Sequence, residues 1–274
     1  MRRQRGPMQL FDSLRYLILV RPDTIGLSGN SRGEMMRSIL IMTMFMASLA
    51  NAAWSDYEEV RELTLDTRGI DMLNIDNGSG SIDITGVSGA SEITVTATIL
   101  VPGKNEDKAR KKIEEDLILT LVQDSDTAVL KAYFEQGRGF FNFGDSASVQ
   151  LDVRMPEGLH LEVDDGSGSI EVSNVRGDII LDDGSGSIKM VDVGGKVEID
   201  DGSGSISVQG VGGDISINDG SGSITVRGVA GSVTVDDGSG GIDVSDVEED
   251  LIIVEDGSGG LDFSNINGRV ETES

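Results

Sequence analysis

Through the C-terminal half of the chain, apolar and polar residues alternate in short runs. Ile170 and Val172 flank Glu171, and Ile179 and Leu181 flank Ile180. A period of two puts one set of side chains on one face, so each run predicts a β-strand. The runs are cut by Asp-Gly-Ser-Gly, whose first glycine falls at Gly166, Gly184, Gly202, Gly220, Gly238 and Gly257, spaced 18, 18, 18, 18 and 19 residues apart. Glycines recur near the half-spacing as well, at Gly168, Gly177, Gly186, Gly195 and Gly204. Each unit is therefore a doubled strand-turn.

One such unit buries little alone. Stacked in register, it pairs its strands with the next unit about 4.8 Å away and joins its Ile and Val to a continuous aliphatic column. Asp suits the turns because its carboxylate bonds nearby backbone N–H groups, and glycine takes left-handed positions. The pattern predicts an all-β protein, a parallel β-solenoid (β-helix) of about 18-residue coils over residues 164–274. Handedness and the number of faces per coil stay open.

Residues 53–163 read differently. Leu63-Thr64-Leu65, Met72–Ile75 and Ile93–Leu100 predict strands, and Asp76-Asn77-Gly78-Ser79-Gly80-Ser81-Ile82 is an isolated copy of the repeat turn. Asn105 can cap a helix over about 105–117, with Glu106 and Asp107 in its first turn and Ala109, Ile113 and Leu117 on one face. Leu117–Val122 and Ala128–Phe134 flank a polar turn and predict a hairpin. The expectation is a β-rich cap with one short helix, covering a solenoid end whose unpaired edges would invite aggregation.

Ahead of it, Met35-Met36-Arg37-Ser38, an apolar run Ile39–Leu49 and Ala50-Asn51-Ala52 form a signal-peptide pattern over 35–52, with cleavage expected after Ala52. The run is shorter than the roughly 20 residues that span a bilayer, so no integral membrane segment is expected in the mature chain. Residues 1–34 are read as an upstream mis-start or an atypical extension. Export to the periplasm or the cell exterior follows.

Charge narrows the partners. Residues 1–52 hold seven Arg against three acids, so of the net −26 the rest of the chain carries −30. Such a surface repels nucleic acid and attracts cations or basic partners. With 37 glycines, no cysteine and aromatics at 4%, disulfides and thiol chemistry are excluded, and a stacked aliphatic core is favoured.

Strands alternating with Gly-Ser-Gly-Ser-Ile turns, led in by Val153-Arg154-Met155-Pro156-Glu157-Gly158-Leu159, resemble the bacterial "putative adhesin" family of β-strand-repeat proteins, a domain of unknown function. The resemblance covers most of residues 60–270. It implies a non-catalytic, envelope-associated solenoid and supplies no catalytic, cofactor or metal residue.

Several groups are weighed for chemistry. Asp165, Asp183, Asp201, Asp219, Asp237 and Asp256 should stack one coil apart, where calcium would relieve their repulsion. The aspartate precedes the glycines here, unlike calcium-binding nonapeptides, so the favoured reading is that each satisfies its own turn, and no metal site is assigned. Carboxylate pairs for polysaccharide cleavage would need a cleft walled by long insertions, and the repeats have none from Asp164 to Gly257. His160 is the sole histidine and lies in an alternating strand, which points to a structural role. Arg176-Gly177-Asp178 spells an adhesive tripeptide, yet the matching positions vary freely between units, so it is read as coincidence. Phe140, Phe141 and Phe143 cluster between glycines and are expected to plug the solenoid end rather than to face a partner or membrane.

The expectation is an exported, adhesin-like binding or scaffold protein of the bacterial cell envelope, not an enzyme, with an envelope protein or glycan as partner. Its alternatives are a calcium-stabilised solenoid that folds after export and, less favoured, a polysaccharide-active β-helix enzyme.

Overall fold

A computed structural model describes residues 41–42, 56–103, 105–135 and 147–272. The signal-peptide pattern, apart from 41–42, and the Phe140, Phe141 and Phe143 cluster lie outside the described residues. The described residues belong to one compact unit. In chain order the elements begin with β1 (Ile41–Met42), β2 (Tyr57–Asp66), β3 (Met72–Asn77), β4 (Ile82–Val87), β5 (Glu92–Val101), α1 (Glu106–Asp116), β6 (Leu117–Asp124), β7 (Thr127–Phe134) and β8 (Ser148–Pro156). Six strand pairs follow: β9 (His160–Asp165) with β10 (Gly168–Ser173), β11 (Ile179–Asp183) with β12 (Gly186–Val193), β13 (Val197–Asp201) with β14 (Gly204–Val211), β15 (Ile215–Asp219) with β16 (Gly222–Val229), β17 (Val233–Asp237) with β18 (Gly240–Val247), and β19 (Leu251–Glu255) with β20 (Leu261–Ile266). β21 (Val270–Thr272) pairs with β19.

The predicted parallel β-solenoid is present, and it has two faces. The first strand of each pair lies in one sheet, ordered β21-β19-β17-β15-β13-β11-β9-β3-β7-β6, and the second in another, ordered β1-β2-β5-β8-β4-β10-β12-β14-β16-β18-β20. Register steps by one unit: Ile188 pairs with Ile206 and Ile206 with Ile224. Inward positions Ile170, Ile188, Ile206, Ile224 and Ile242 stack into one buried column, and Val197, Ile215, Val233 and Leu251 form another on the facing sheet. Fully burying each such side chain is worth about 1.5–3 kcal/mol, which is what sets the register. The outward set between them is mostly polar, with Ile180 and Val254 among the exposed apolar exceptions.

The lone upstream repeat turn lies inside the stack. β3 and β4 form a coil whose outer neighbours are β7 and β8 and whose inner neighbours are β9 and β10. The chain therefore leaves this coil, builds the cap, returns through β8 on the cap side and crosses to β9 on the coil's other side. Beyond β8 and β7 the pairing turns antiparallel: β5 lies on β8, β2 on β5, and β6 on β7. Parallel coils thus end in antiparallel strands at this side.

The helix starts as expected, with the Asn105 side chain accepting from the Lys108 N–H at 3.1 Å. Ala109 and Ile113 are its buried residues, while Leu117 already opens β6. The hairpin forms too, its tight turn carried by Ser125 at φ 59°.

Candidate functional site

Each coil has two corners; aspartates build the first in successive coils and the second in alternate ones. At the first, the strand in the β9 sheet ends on an inward-facing aspartate: Asp165, Asp183, Asp201, Asp219 and Asp237, all 0–2 % exposed. Register places them directly over one another, with Asn77 of the β3 coil pairing Asp165. One carboxylate oxygen closes the turn. The N–H groups of Ser185, Ser203, Ser221 and Ser239 donate to Oδ1 of Asp183, Asp201, Asp219 and Asp237 at 3.0–3.1 Å. Asp165 Oδ1 accepts from Asn77 Nδ2 at 2.9 Å, and the backbone of Ser167 and Gly166 donates to the same carboxyl. The other oxygen, Oδ2, is buried without a partner in all five aspartates.

Burial of these carboxyls disfavours their charged form, and the stacked neighbours add repulsion. Asp165, Asp183 and Asp219 are each pushed up to about 6 by desolvation, partly opposed by their hydrogen bonds. Asp201 and Asp237 shift upward for the same reason.

Asp256 continues this column at its end, level with Asp237, and is half-buried rather than buried. The pairing shifts between Val235 and Asp236, so that Asp236 pairs Glu255 and Gly257 lies over Gly238, which leaves Asp256 in register with Asp237 just after β19. The cause of the shift is the extra residue in the last, 19-residue spacing, which the bulge absorbs. Asp256 acts on Asp237 as a nearby charge.

One position outward, Asp76, Asp164, Asp182, Asp200, Asn218 and Asp236 form a second row along the solvent side. Asp182 and Asp200 are exposed. The sheet-β10 face carries Glu171, Lys189, Arg227 and Asp243, with Lys189 on Glu171 at 2.6 Å and Arg227 on Asp243 at 3.0 Å.

The other corner explains three further residues. Asp178 donates its N–H to His160 Nδ1 at 3.0 Å and accepts the Lys196 N–H at 2.9 Å. His160 thus bridges neighbouring coils, as its strand setting suggests. Asp178 of the Arg-Gly-Asp tripeptide is engaged in the same ladder, and Arg176 lies 3.7 Å from Glu157. The ladder continues through Asp214, which accepts from the Ser232 N–H, and Asp250, which accepts from the Arg269 N–H.

For calcium the donor set is thin. A calcium ion takes six to eight oxygens, whereas two stacked rungs present one free oxygen each. Among the described residues, three or more His, Asp or Glu nowhere converge into a metal-holding group, and no helix is long and apolar enough to cross a membrane. Sequence reading named the column but missed its buried side: the period-two alternation marks Asp183 as inward, next to Leu181, and that signal was present.

No protein-family model matches the chain, and no curated protein matches it. Among solved structures it is similar to a "putative cell adhesion protein" from Clostridium sporogenes (9% identity, TM-score 0.29, 80% of this chain and 100% of that one). It is similar also to a "putative adhesin" from Bacteroides fragilis (9% identity, TM-score 0.36, 78% and 97%). A "putative lipid binding protein" from Parabacteroides distasonis is a third (13% identity, TM-score 0.39, 78% and 94%).

Proposed function

We propose that this chain is an exported, non-enzymatic, adhesin-like binding or scaffold protein of the bacterial cell envelope, whose rigid acidic coil stack is the binding element. The observation that carries this reading is the outward row from Asp164 to Asp236, acidic at every position but Asn218 and held in constant register by five successive coils. A row of charges at fixed spacing on a stiff support loses little entropy when it meets a repetitive or basic partner. Export is supported by the pattern of Met35 to Ala52, with maturation after Ala52. The partner class is an envelope protein or glycan.

The test has two parts. Cell fractionation with N-terminal sequencing should find the protein outside the cytoplasm, beginning at Ala53; a cytoplasmic protein retaining residues 35–52 overturns export. Co-sedimentation with isolated envelope should be salt-sensitive and several-fold weaker for Asp164→Asn/Asp182→Asn/Asp200→Asn. Equal binding by this variant overturns the acidic row as the contact.

A further inference from the structure

The first rung of the buried column shows what the others lack. Asn77 donates from Nδ2 to Asp165 Oδ1 at 2.9 Å, an amide closing the gap between two coils. At the four following junctions, Asp165–Asp183, Asp183–Asp201, Asp201–Asp219 and Asp219–Asp237, carboxyl faces carboxyl. Ionised, neither side has a hydrogen to give, and five buried Oδ2 atoms stand without partners. An orphaned buried acceptor is costly, and two stacked carboxylates in a dry site repel as well. A carboxylic acid removes both costs, since its O–H donates and its charge is gone.

We propose that the aspartate column is a proton-binding site: at acid pH, protons held on the stacked carboxyls close its junctions as the Asn77 amide closes the first, and their loss loosens the solenoid as pH rises. Among the described residues no cation acts on these five carboxyls, and Lys131 on the same sheet is held by Asp76 of the outward row. The charged groups acting on the column from its own sheet are acidic: Asp164 on Asp165, Asp182 on Asp183, Asp200 on Asp201, and Asp236 with Asp256 on Asp237. On the other side the Oδ2 atoms of Asp165, Asp183, Asp201 and Asp219 lie beside Gly168, Gly186, Gly204 and Gly222, which have no side chain. The cations of that sheet's strands from β10 to β20, Lys189 and Arg227, are bound to Glu171 and Asp243 on its outer face.

The upward shifts agree in direction and reach about 6 at Asp165, Asp183 and Asp219. The folded state then binds more protons than the unfolded chain, whose aspartates titrate near 4. The column's contribution to stability is full below about 4 and is lost as pH rises through about 6, the reverse of the usual carboxylate effect. The protons are shared, so the titration belongs to the column rather than to one residue.

Carbon-13 NMR of the aspartate carboxyls in the full chain reads the sites directly. A set with midpoints near 6 is expected, and titration of every aspartate below about 4.5 overturns the proposal. Thermal melts separate it from relief of overall charge repulsion. The melting temperature should fall by several degrees between pH 4.5 and 7.5. Asp201→Asn, which installs a permanent donor, should raise it at pH 7.5 and flatten the slope, while Asp200→Asn on the outer row should leave the slope as it is. Equal effects of the two variants overturn the proposal. Should Asp201→Asn fail to fold, the wild-type NMR titration decides.

Discussion

Gly204 has no room for a methyl group. Its φ is 155°, and a Cβ there would overlap the carbonyl oxygen of Gly186 one coil below. Gly168, Gly186 and Gly240 share the conformation, so the second glycine of each repeat turn follows from the stacking distance itself. Gly204→Ala should cost more than about 3 kcal/mol in chemical denaturation, or prevent folding. Gly103→Ala, at φ 62° with nothing near its Cβ, should cost only about 1 kcal/mol. At the opposite corner one column needs a left-handed residue and takes Asn174, Asp192, Gly210, Gly228, Asp246 and Asn265. Those three residue types are the ones that reach positive φ cheaply. Asp192→Asn should therefore be nearly neutral, whereas Asp192→Val should lose about 1–2 kcal/mol in the same assay.

Each strand is short, so it is held by its neighbours above and below rather than by its own propensity. Truncating one interior rung, as in Ile206→Ala, should cost about 2–5 kcal/mol, because the column is close-packed and a cavity would remain. The corners add ties between coils. Asp214 accepts the Ser232 N–H at 3.1 Å and meets Lys196 Nζ at 3.2 Å. These contacts draw Asp214 below the usual carboxylate range, the backbone bond first. Its contribution is present above about 4 and is lost as pH falls further, opposite in sign to the buried column. The two corners of one coil thus respond to acid in opposite directions. At the cap, Asn105→Ala should remove about 1 kcal/mol through loss of the bond to the Lys108 N–H.

For the whole molecule, stability is nearly a sum over coils and their interfaces. Deleting residues 202–219, one full unit, would rejoin Asp201 to Gly220 in an equivalent turn and preserve every column. Circular dichroism of that deletion should keep the β signal and melt cooperatively, somewhat lower than the full chain. The coil of β3 and β4 is different in kind. It lies between β7 and β8 on one side and β9 and β10 on the other, so its pairing joins segments 88 residues apart. Loss of residues 72–87 would leave the cap without its seat, and that deletion should not give a cooperative melt. Its long-range closure also makes it a slow step in folding.

The sequence by itself determined the repeat, the parallel solenoid, the helix at Asn105 and the hairpin after it, because each is written in local periodicity or turn chemistry. It marked the aspartate column through the spacing of Asp165 to Asp237, and the alternation beside Leu181 already pointed those residues inward. Export and the aromatic cluster remain expectations from sequence, since they fall on residues 35–52 and 140–143. Only the tertiary structure decided that each coil has two faces, since the bend at a corner depends on how facing Ile and Val columns pack. It alone placed Asn77 beneath Asp165, a contact across 88 residues that no local pattern encodes. It alone showed that the extra residue of the last spacing is taken up by a bulge before Glu255, so that Asp256 keeps its place in register with Asp237.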